Sequence, residues 1–392
     1  MTMLYLLEPA APGPEWAPFA GARPIAELRA GAWLVRERWS GVLGELDGLE
    51  VAAILGTHCL DFCDTDSPPV QPPAPVEGPA IIAASWFAPS GLAVELAPDT
   101  RRLTHDDKTV AWVVPEGETW AGAEDESGRA QPVDGLPLQG THDLLTALEH
   151  LLVPDCADFL AEESDPIPDG VIVIGDPADV VLLGAAVEPG VVFDTRGGVI
   201  VLETGVEVRA GTRLQGPLFV GAGTLLLGGA IRHSAIGPQC RVHGEVSASV
   251  FLGFANKSHD GFVGHSVLGH WVNLGAGTIT SNLKNTYGPI RLEIAGARLE
   301  TGRTNLGTLF GDHAKTAIGS LLPTGCVIGA GANLFGQPTA PKYLPPFAWG
   351  TGSERIDADR FVAVAHRVMP RRGIEPSPER EASLRAMHRR LA

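Results

Sequence analysis

The stretch LETGVEVRAGTRLQGPLFVGAGTLL, from Leu202 to Leu226, decides the fold. Its aliphatic residues Leu202, Val208, Leu214, Val220 and Leu226 fall six apart, and after a slip the spacing resumes at Ile236 and Val242. A period of six is neither the 2 of a half-buried strand nor the 3.6 of a helix. It recurs at Leu268 and Leu274 and at Ile328 and Leu334, with Gly-Ala-Gly after Val220, Leu274 and Ile328. One inward aliphatic residue per face, with small residues where the chain turns, is the signature of a parallel β-helix with three faces per coil. A Gly-rich β-sandwich is the competing reading, but sandwich strands recur every 8–12 residues. The pattern therefore predicts a solenoid over residues 171–345. Such a stack touches only its neighbours and needs its ends covered. Residues 346–392 are expected to form a helical cap, with helices over Ile356–Val368 and, started by Ser377-Pro378, over Glu379–Leu391.

Upstream of the repeat, residues 1–165 read as a mixed α/β region. Short strands are predicted at Met3–Leu7, Val51–Leu55, Ala80–Ala84 and Val110–Val114, and a helix over Arg23–Trp39. A second helix is predicted over Thr141–Leu152, with Thr141 as N-cap and Asp143 in the first turn. The Pro-rich Ser67–Pro79 and the acidic Glu116–Pro137 read as connectors.

Composition limits the function. The 392 residues include 48 Gly and 32 Pro but only 6% aromatics, which suits many tight turns. A formal net charge of −17 argues against a nucleic-acid partner, since phosphate binding needs clustered Lys and Arg. An anionic substrate would need a local basic pocket. No stretch approaches the roughly 20 apolar residues of a membrane span, and Met1–Ala10 lacks the basic flank of a secretory signal, so a cytoplasmic protein without membrane contact is expected. Five scattered cysteines, Cys59, Cys63, Cys156, Cys240 and Cys326, indicate neither a disulfide framework nor a metal site.

The repeat breaks at Phe251–Gly264, which is expected to leave the coil as a loop on one face, where solenoids often carry binding function. This segment holds Lys257, His259 and Asp260. An imidazole as a class is suited to proton transfer near neutral pH, so His259 can take a proton from an amine nucleophile, while Lys257 can hold a phosphate as a point charge. A solvated histidine in a polar loop is the plainer reading of the same residues.

The run Gly264–Tyr287, containing Asn273-Leu-Gly-Ala-Gly-Thr278, resembles the acetyltransferase half of the bifunctional N-acetylglucosamine-1-phosphate uridylyltransferase/glucosamine-1-phosphate acetyltransferase family. Asn256-Lys-Ser-His-Asp-Gly-Phe262 and Asn282-Leu-Lys-Asn285 are similar to a divergent bacterial branch of that family, known as sugar nucleotidyltransferases. The resemblance covers about residues 171–350. It implies a left-handed coil and a homotrimer with acetyl-CoA between subunits. It further implies that His259 is the catalytic base, Asn273 and Lys284 belong to the sugar site, and Ala276 and Asn282 lie beside acetyl-CoA. The family's Arg-x-Arg-Pro-Gly run is here Arg241-Val-His-Gly-Glu245; Ser247 replaces a lysine and Phe262 a tyrosine. Lys257, Lys284 and Arg241 are then the candidates for the acceptor's sugar or phosphate. No nucleophile motif of the Gly-x-Ser-x-Gly kind occurs, so direct transfer is expected.

Arg23-Pro-Ile-Ala-Glu-Leu-Arg-Ala-Gly31 and Val35-Arg-Glu-Arg-Trp39 resemble the start of the nucleotidyltransferase domain in the same branch. Nucleotidyl transfer needs a Gly-rich turn, basic side chains around a triphosphate and carboxylates for Mg²⁺. Arg23 and Arg29 are the phosphate candidates, and Mg²⁺ is expected only if this domain is active. The Gly-rich loop is missing, and Ala83-Ala-Ser-Trp86 stands where the branch has Asn-Gly-Arg. Three functions therefore stay open: acetyl transfer to an amino sugar or its phosphate, nucleotidyl transfer with the solenoid as a trimerisation element, and a non-catalytic scaffold.

Overall fold

The computed structural model describes every residue except 45, 47 and 92. Met3–Leu7, Glu50–Leu55 and Ala80–Ala84 run parallel, and Lys108–Val114 pairs antiparallel with Ala80–Ala84, at the centre of a seven-stranded sheet. The helix expected over Arg23–Trp39 is mostly something else. Arg29–Ala30 and Trp33–Leu34 form a tight antiparallel pair, and only Val35–Val42 (α1) is α-helical. Gly31 sets this break: its φ is +68°, and a Cβ there would run into the Asp155 carboxylate and the Arg38 guanidinium. The second helix spans Asp143–Asp158 (α2). Thr141 does not cap it, and the buried Thr141 hydroxyl finds no partner. Both connectors carry short strands, among them Val70–Gln71 and Arg129–Pro132, which extend the sheet at its two edges.

The solenoid begins at Ile172–Ile174 and has three faces. One is a column of nine parallel strands, from Val180–Leu182 to Tyr343–Leu344. Its inward ladder runs Leu182, Leu202, Val220, Ile236, Phe251, Leu268, Phe310, Ile328 and Leu344, each paired with the next and each buried. The anchors read from the six-residue spacing are these residues and their counterparts on the other faces. The outward ladder of the same column is also apolar. Val181, Val201, Phe219, Ala235, Val250, Val267, Leu309 and Val327 join one core with Leu4, Trp39, Leu148 and Leu151 of the N-terminal half. Strands buried on both faces read as continuous apolar runs, as Ile200-Val-Leu202 and Leu218-Phe-Val220 do.

Phe251–Gly264 is not an inserted loop. Val250–Phe251, Asn256–Lys257 and Gly261–Gly264 are regular rungs of the three faces. The six-residue count fails there because the coil is short: the step from Ile236 to its partner Phe251 uses less chain than the step from Leu202 to Val220. The real insertion is later. Leu268 pairs with Phe310, far more than one coil away in sequence, and the excess forms a hairpin, Arg291–Ile294 with Ala297–Glu300. Arg303, at its base, reaches the Thr146 hydroxyl at 2.9 Å and the Glu149 carboxylate on α2.

The C-terminal helices Ala358–Val368 (α3) and Pro378–Leu391 (α4) are capped by Asp357 and Ser377, whose side chains accept from Arg360 N and Arg380 N. Rather than stacking only on the last coil as a cap, they lie along one corner of the solenoid. That corner is a column of left-handed residues, Gly223, Gln239, Phe254, Trp271, His313, Gly331 and Phe347. Phe254, Trp271 and Phe347 pack there against Phe361, Val362, Met369 and Met387.

Where helices, corner and N-terminal half meet, Arg23 donates to Asp64 at 2.6 Å and to Asp312 at 2.9 Å, and His270 Nδ1 lies 2.7 Å from the same Asp64 carboxylate. Burial alone would raise the Asp64 carboxyl, but His270 and Arg23 overcome it and hold it well below the usual range. An acid kept ionised in the folded state contributes stability that is complete above its unfolded pKa, near 4, and is lost as pH falls below it. Asp64→Asn should therefore cost about 3–5 kcal/mol at neutral pH by stripping one partner from a buried charge. The variant should also lose less of its remaining stability below about pH 4 than the parent. Thermal unfolding across that range checks both, and equal acid slopes would show that the latch contributes nothing.

Candidate active site at a solenoid corner

The second face of the solenoid carries an outward polar ladder: Arg241 pairs with Asn256, Asn256 with Asn273, Asn273 with Lys315 and Lys315 with Asn333. Asn256 Nδ2 donates to Asn273 Oδ1 at 2.7 Å, and the Ser258 hydroxyl donates to Asn256 Oδ1. These bonds fix the two amides as a unit.

The chain then turns a corner. Asn256 pairs with Asn273 and Gly261 with Thr278, so the register is the same on both sides of the turn and His259 lies beside Ala276 of the next coil. Coils approach tightly here. A Cβ on Gly275 would meet the Ala317 carbonyl carbon at 2.5 Å, and Gly277 has φ +72°. In the next coil down, Ala276 O accepts from Gly319 N at 2.7 Å. The corresponding His259 carbonyl instead turns inward to the Lys257 ammonium.

Lys257 occupies an inward position, paired with Val242, and is buried. Its ammonium donates to His243 O at 2.8 Å and to His259 O. Burial, only partly offset by the Asp260 charge, brings its pKa down to about 8. Lys257 is therefore not open to a phosphate; it ties down the backbone that carries His259, whose side chain is exposed.

The other candidates separate. Asn282 sits at the next corner, where its Nδ2 is 2.7 Å from His265 Nδ1. Lys284 lies in the insertion and donates to Pro289 O. Arg241 stays on the polar ladder one coil before Asn256, with Nη1 on Gly223 O at 3.0 Å and Cys240 O at 2.9 Å. Thus the fold gathers His259, Asn273 and Ala276 around one corner, with Arg241 above. Two residues escaped the sequence reading: Asn256, the amide partner of Asn273, and Lys315. The second could be found only by placing the insertion correctly, since the whole hairpin segment separates it from its ladder partner Asn273.

The N-terminal arginines have other work. Arg23 is buried in the Asp64–Asp312 latch. Arg29 is buried, donates to Ala32 O and lies over the Phe219 ring at 5.5 Å, at the joint with the solenoid. Ligands of open α/β sheets bind beyond the carboxyl ends of the parallel strands. There Glu8 accepts from Ile25 N at 2.8 Å and Ala26 N at 3.0 Å, and His58 Nε2 lies 2.8 Å from the same carboxylate. The Glu8 carboxylate is thus taken by protein groups and is not free to serve Mg²⁺.

Fold and site define two parts: an α/β domain at the N-terminus, and a hexapeptide solenoid bearing a histidine at a corner. Residues 10–164 match the family model described as sugar nucleotidyl transferase. The chain is 35% identical over 91 residues to the bifunctional sugar-1-phosphate nucleotidylyltransferase/acetyltransferase of Sulfurisphaera tokodaii, a match covering 23% of each chain. It is 36% identical over 92 residues to the bifunctional protein GlmU of Methanocaldococcus jannaschii, covering 22% of each. To that of Synechococcus elongatus it is 30% identical over 124 residues, covering 31% of this chain and 24% of the relative. The chain thus spans about a quarter of the length of the curated relatives it matches.

The Lys257 arrangement is testable by stability. Lys257→Met keeps the length of the side chain but leaves two carbonyls without a donor. Chemical denaturation should report a loss of about 1–3 kcal/mol; a variant as stable as the parent would show that water serves those carbonyls equally well.

Proposed function

We propose that this protein transfers an acetyl group from acetyl-CoA to the amine of an amino sugar or amino-sugar phosphate, with His259 as general base. The observation that carries this reading is the exposed His259 beside Ala276 and one turn from the Asn256–Asn273 amide pair, its backbone held by a buried lysine. In the reaction the amine nitrogen attacks the thioester carbonyl, His259 takes the ammonium proton, the C–S bond breaks, and the thiol leaves with a proton. Acetyl-CoA is a co-substrate here, placed along the corner that includes Ala276. The Sulfurisphaera tokodaii relative, by name a bifunctional sugar-1-phosphate nucleotidylyltransferase/acetyltransferase, supports the class of chemistry. No helix among the described residues is long and apolar enough to cross a membrane. The assembly is proposed as a homotrimer. The outward ladder Phe262, Ile279 and Leu321, with Ile279 and Leu321 each 43% exposed, supports a protein partner next to His259.

Asn282 enters this proposal as a contact to acetyl-CoA at the neighbouring corner, and Lys284 and Arg241 as contacts to the acceptor. General-base help is worth typically 10²–10⁴-fold. His259→Ala should lower the rate of CoA release by that order, while calorimetric acetyl-CoA affinity and stability stay near those of the parent, since exposed substitutions shift stability by about 0.5 kcal/mol at most. Full activity in the variant on the best acceptor would remove His259 from the mechanism.

The N-terminal domain is read as structural, because Glu8, Arg23 and Arg29 are spent on protein contacts. Pyrophosphate release from UTP or dTTP with a sugar 1-phosphate is expected at background. Robust release above background would instead establish nucleotidyl transfer.

A further inference from the structure

Between the polar ladder and the end of α3 lies a cavity of about 270 Å³ lined by Asn256, Asn273, Lys315, Trp271, Arg371 and Arg372 among others. None of its lining residues is a carboxylate. In a chain of net charge −17, none of Lys315, Arg371, Arg372 or the adjacent Arg241 forms an ion pair among the described residues. Their hydrogen bonds go to carbonyls instead: Lys315 Nζ to His313 O at 3.1 Å, Arg372 Nε to Gln239 O at 3.2 Å, and Arg241 Nη1 to Gly223 O.

The arginines press on one another, and Lys315 lies partly buried beside them. Burial and then the Arg241 charge lower the pKa of Arg372, and burial brings Lys315 down to about 8. Partly buried like charges such as Lys315 and Arg372, without counter-charge, are costly unless a ligand supplies it. The neutral amides Asn256 and Asn273 add polar groups on the same wall. The volume lies below the roughly 300 Å³ at which drug-sized pockets begin, so it suits a phosphoryl group and part of its carrier rather than a whole nucleotide.

We propose that Lys315, Arg371 and Arg372, with Arg241 behind them, form an oxyanion pocket that binds the phosphoryl group of a ligand reacting at the His259 corner. This pocket takes the place of the missing arginine run. It is built from the solenoid face and the C-terminal segment, not from the Arg241–Glu245 turn alone. Asn273 stands in its wall three residues before Ala276, and even fully extended chain would put that wall no more than about 10 Å from the corner. Two phosphate sources lie within such reach, a sugar phosphate acceptor and the phosphates of CoA. The pocket deepens the acetyl-transfer reading and rests on it for its role, but it is measured by binding and stands apart from turnover.

The test is calorimetry on the full chain with inorganic pyrophosphate, glucosamine 1-phosphate, glucosamine, CoA and dephospho-CoA. Arg371→Glu reverses an exposed charge, and Lys315→Met keeps side-chain length without charge. Phosphorylated probes should bind, and each substitution should weaken them at least about tenfold, the size of one charge-assisted hydrogen bond. If each substitution weakens glucosamine 1-phosphate and leaves CoA and dephospho-CoA, which both keep the diphosphate, unchanged, the phosphate belongs to the acceptor. The opposite pattern assigns it to CoA. Failure of every phosphorylated probe to bind at millimolar concentration, or equal binding by the parent and Arg371→Glu, overturns the pocket. Should Lys315→Met fail to fold, Arg371→Glu decides alone. Loss of activity in His259→Ala with phosphate binding intact, or the converse, keeps the two readings separate.

Discussion

Everything in this chain hangs on one column of nine parallel strands that is apolar on both sides. Inward, it closes the solenoid; outward, it is the floor on which the N-terminal sheet and α2 rest. Burial at about 25 cal/mol per Å² of apolar surface makes such a shared wall far stronger than any single ion pair at the joint. The Arg23–Asp64–Asp312 latch and the Arg303 contact to α2 then fix orientation along the edges of that wall. The corner at His259 lies away from the wall, its side chain open to solvent.

The solenoid is legible in the sequence because its inward residues obey one rule per face, so the spacing of Leu202, Val208 and Leu214 alone announces three faces. The same rule misleads at Phe251–Gly264, because a six-residue count assumes coils of equal length. Short coils turn through corner residues such as Phe254 and His265, whose positive φ values no periodicity reveals. The true insertion, starting after Thr280, hides behind the best-matched run in the chain. In the N-terminal half, four strands are visible as short apolar runs. The shape of the Arg23–Trp39 segment is not, since it is imposed by Gly31 against Asp155, a contact from the far end of the domain.

The candidate site divides along the same line. His259, Asn273 and Ala276 are readable from local resemblance, and register brings them together. Lys257 is readable as a cation but not as an inward one, because hexapeptide positions that normally hold an aliphatic residue give no warning when a lysine takes the place and finds carbonyls to bond. Arg23 and Arg29 illustrate the reverse: a basic residue near a family motif suggests phosphate, while burial and carboxylate or aromatic partners assign each to the joint. Lys315, Arg371 and Arg372 meet only in three dimensions.

The shared wall also governs how the chain can be made. During synthesis from the N-terminus, Leu4, Trp39 and Leu148 emerge long before Val250, Leu309 and Val327, which complete their core. The leading half must therefore wait at the ribosome with part of its apolar surface uncovered until most of the solenoid has followed, and its final burial comes late, as the coils stack beneath it.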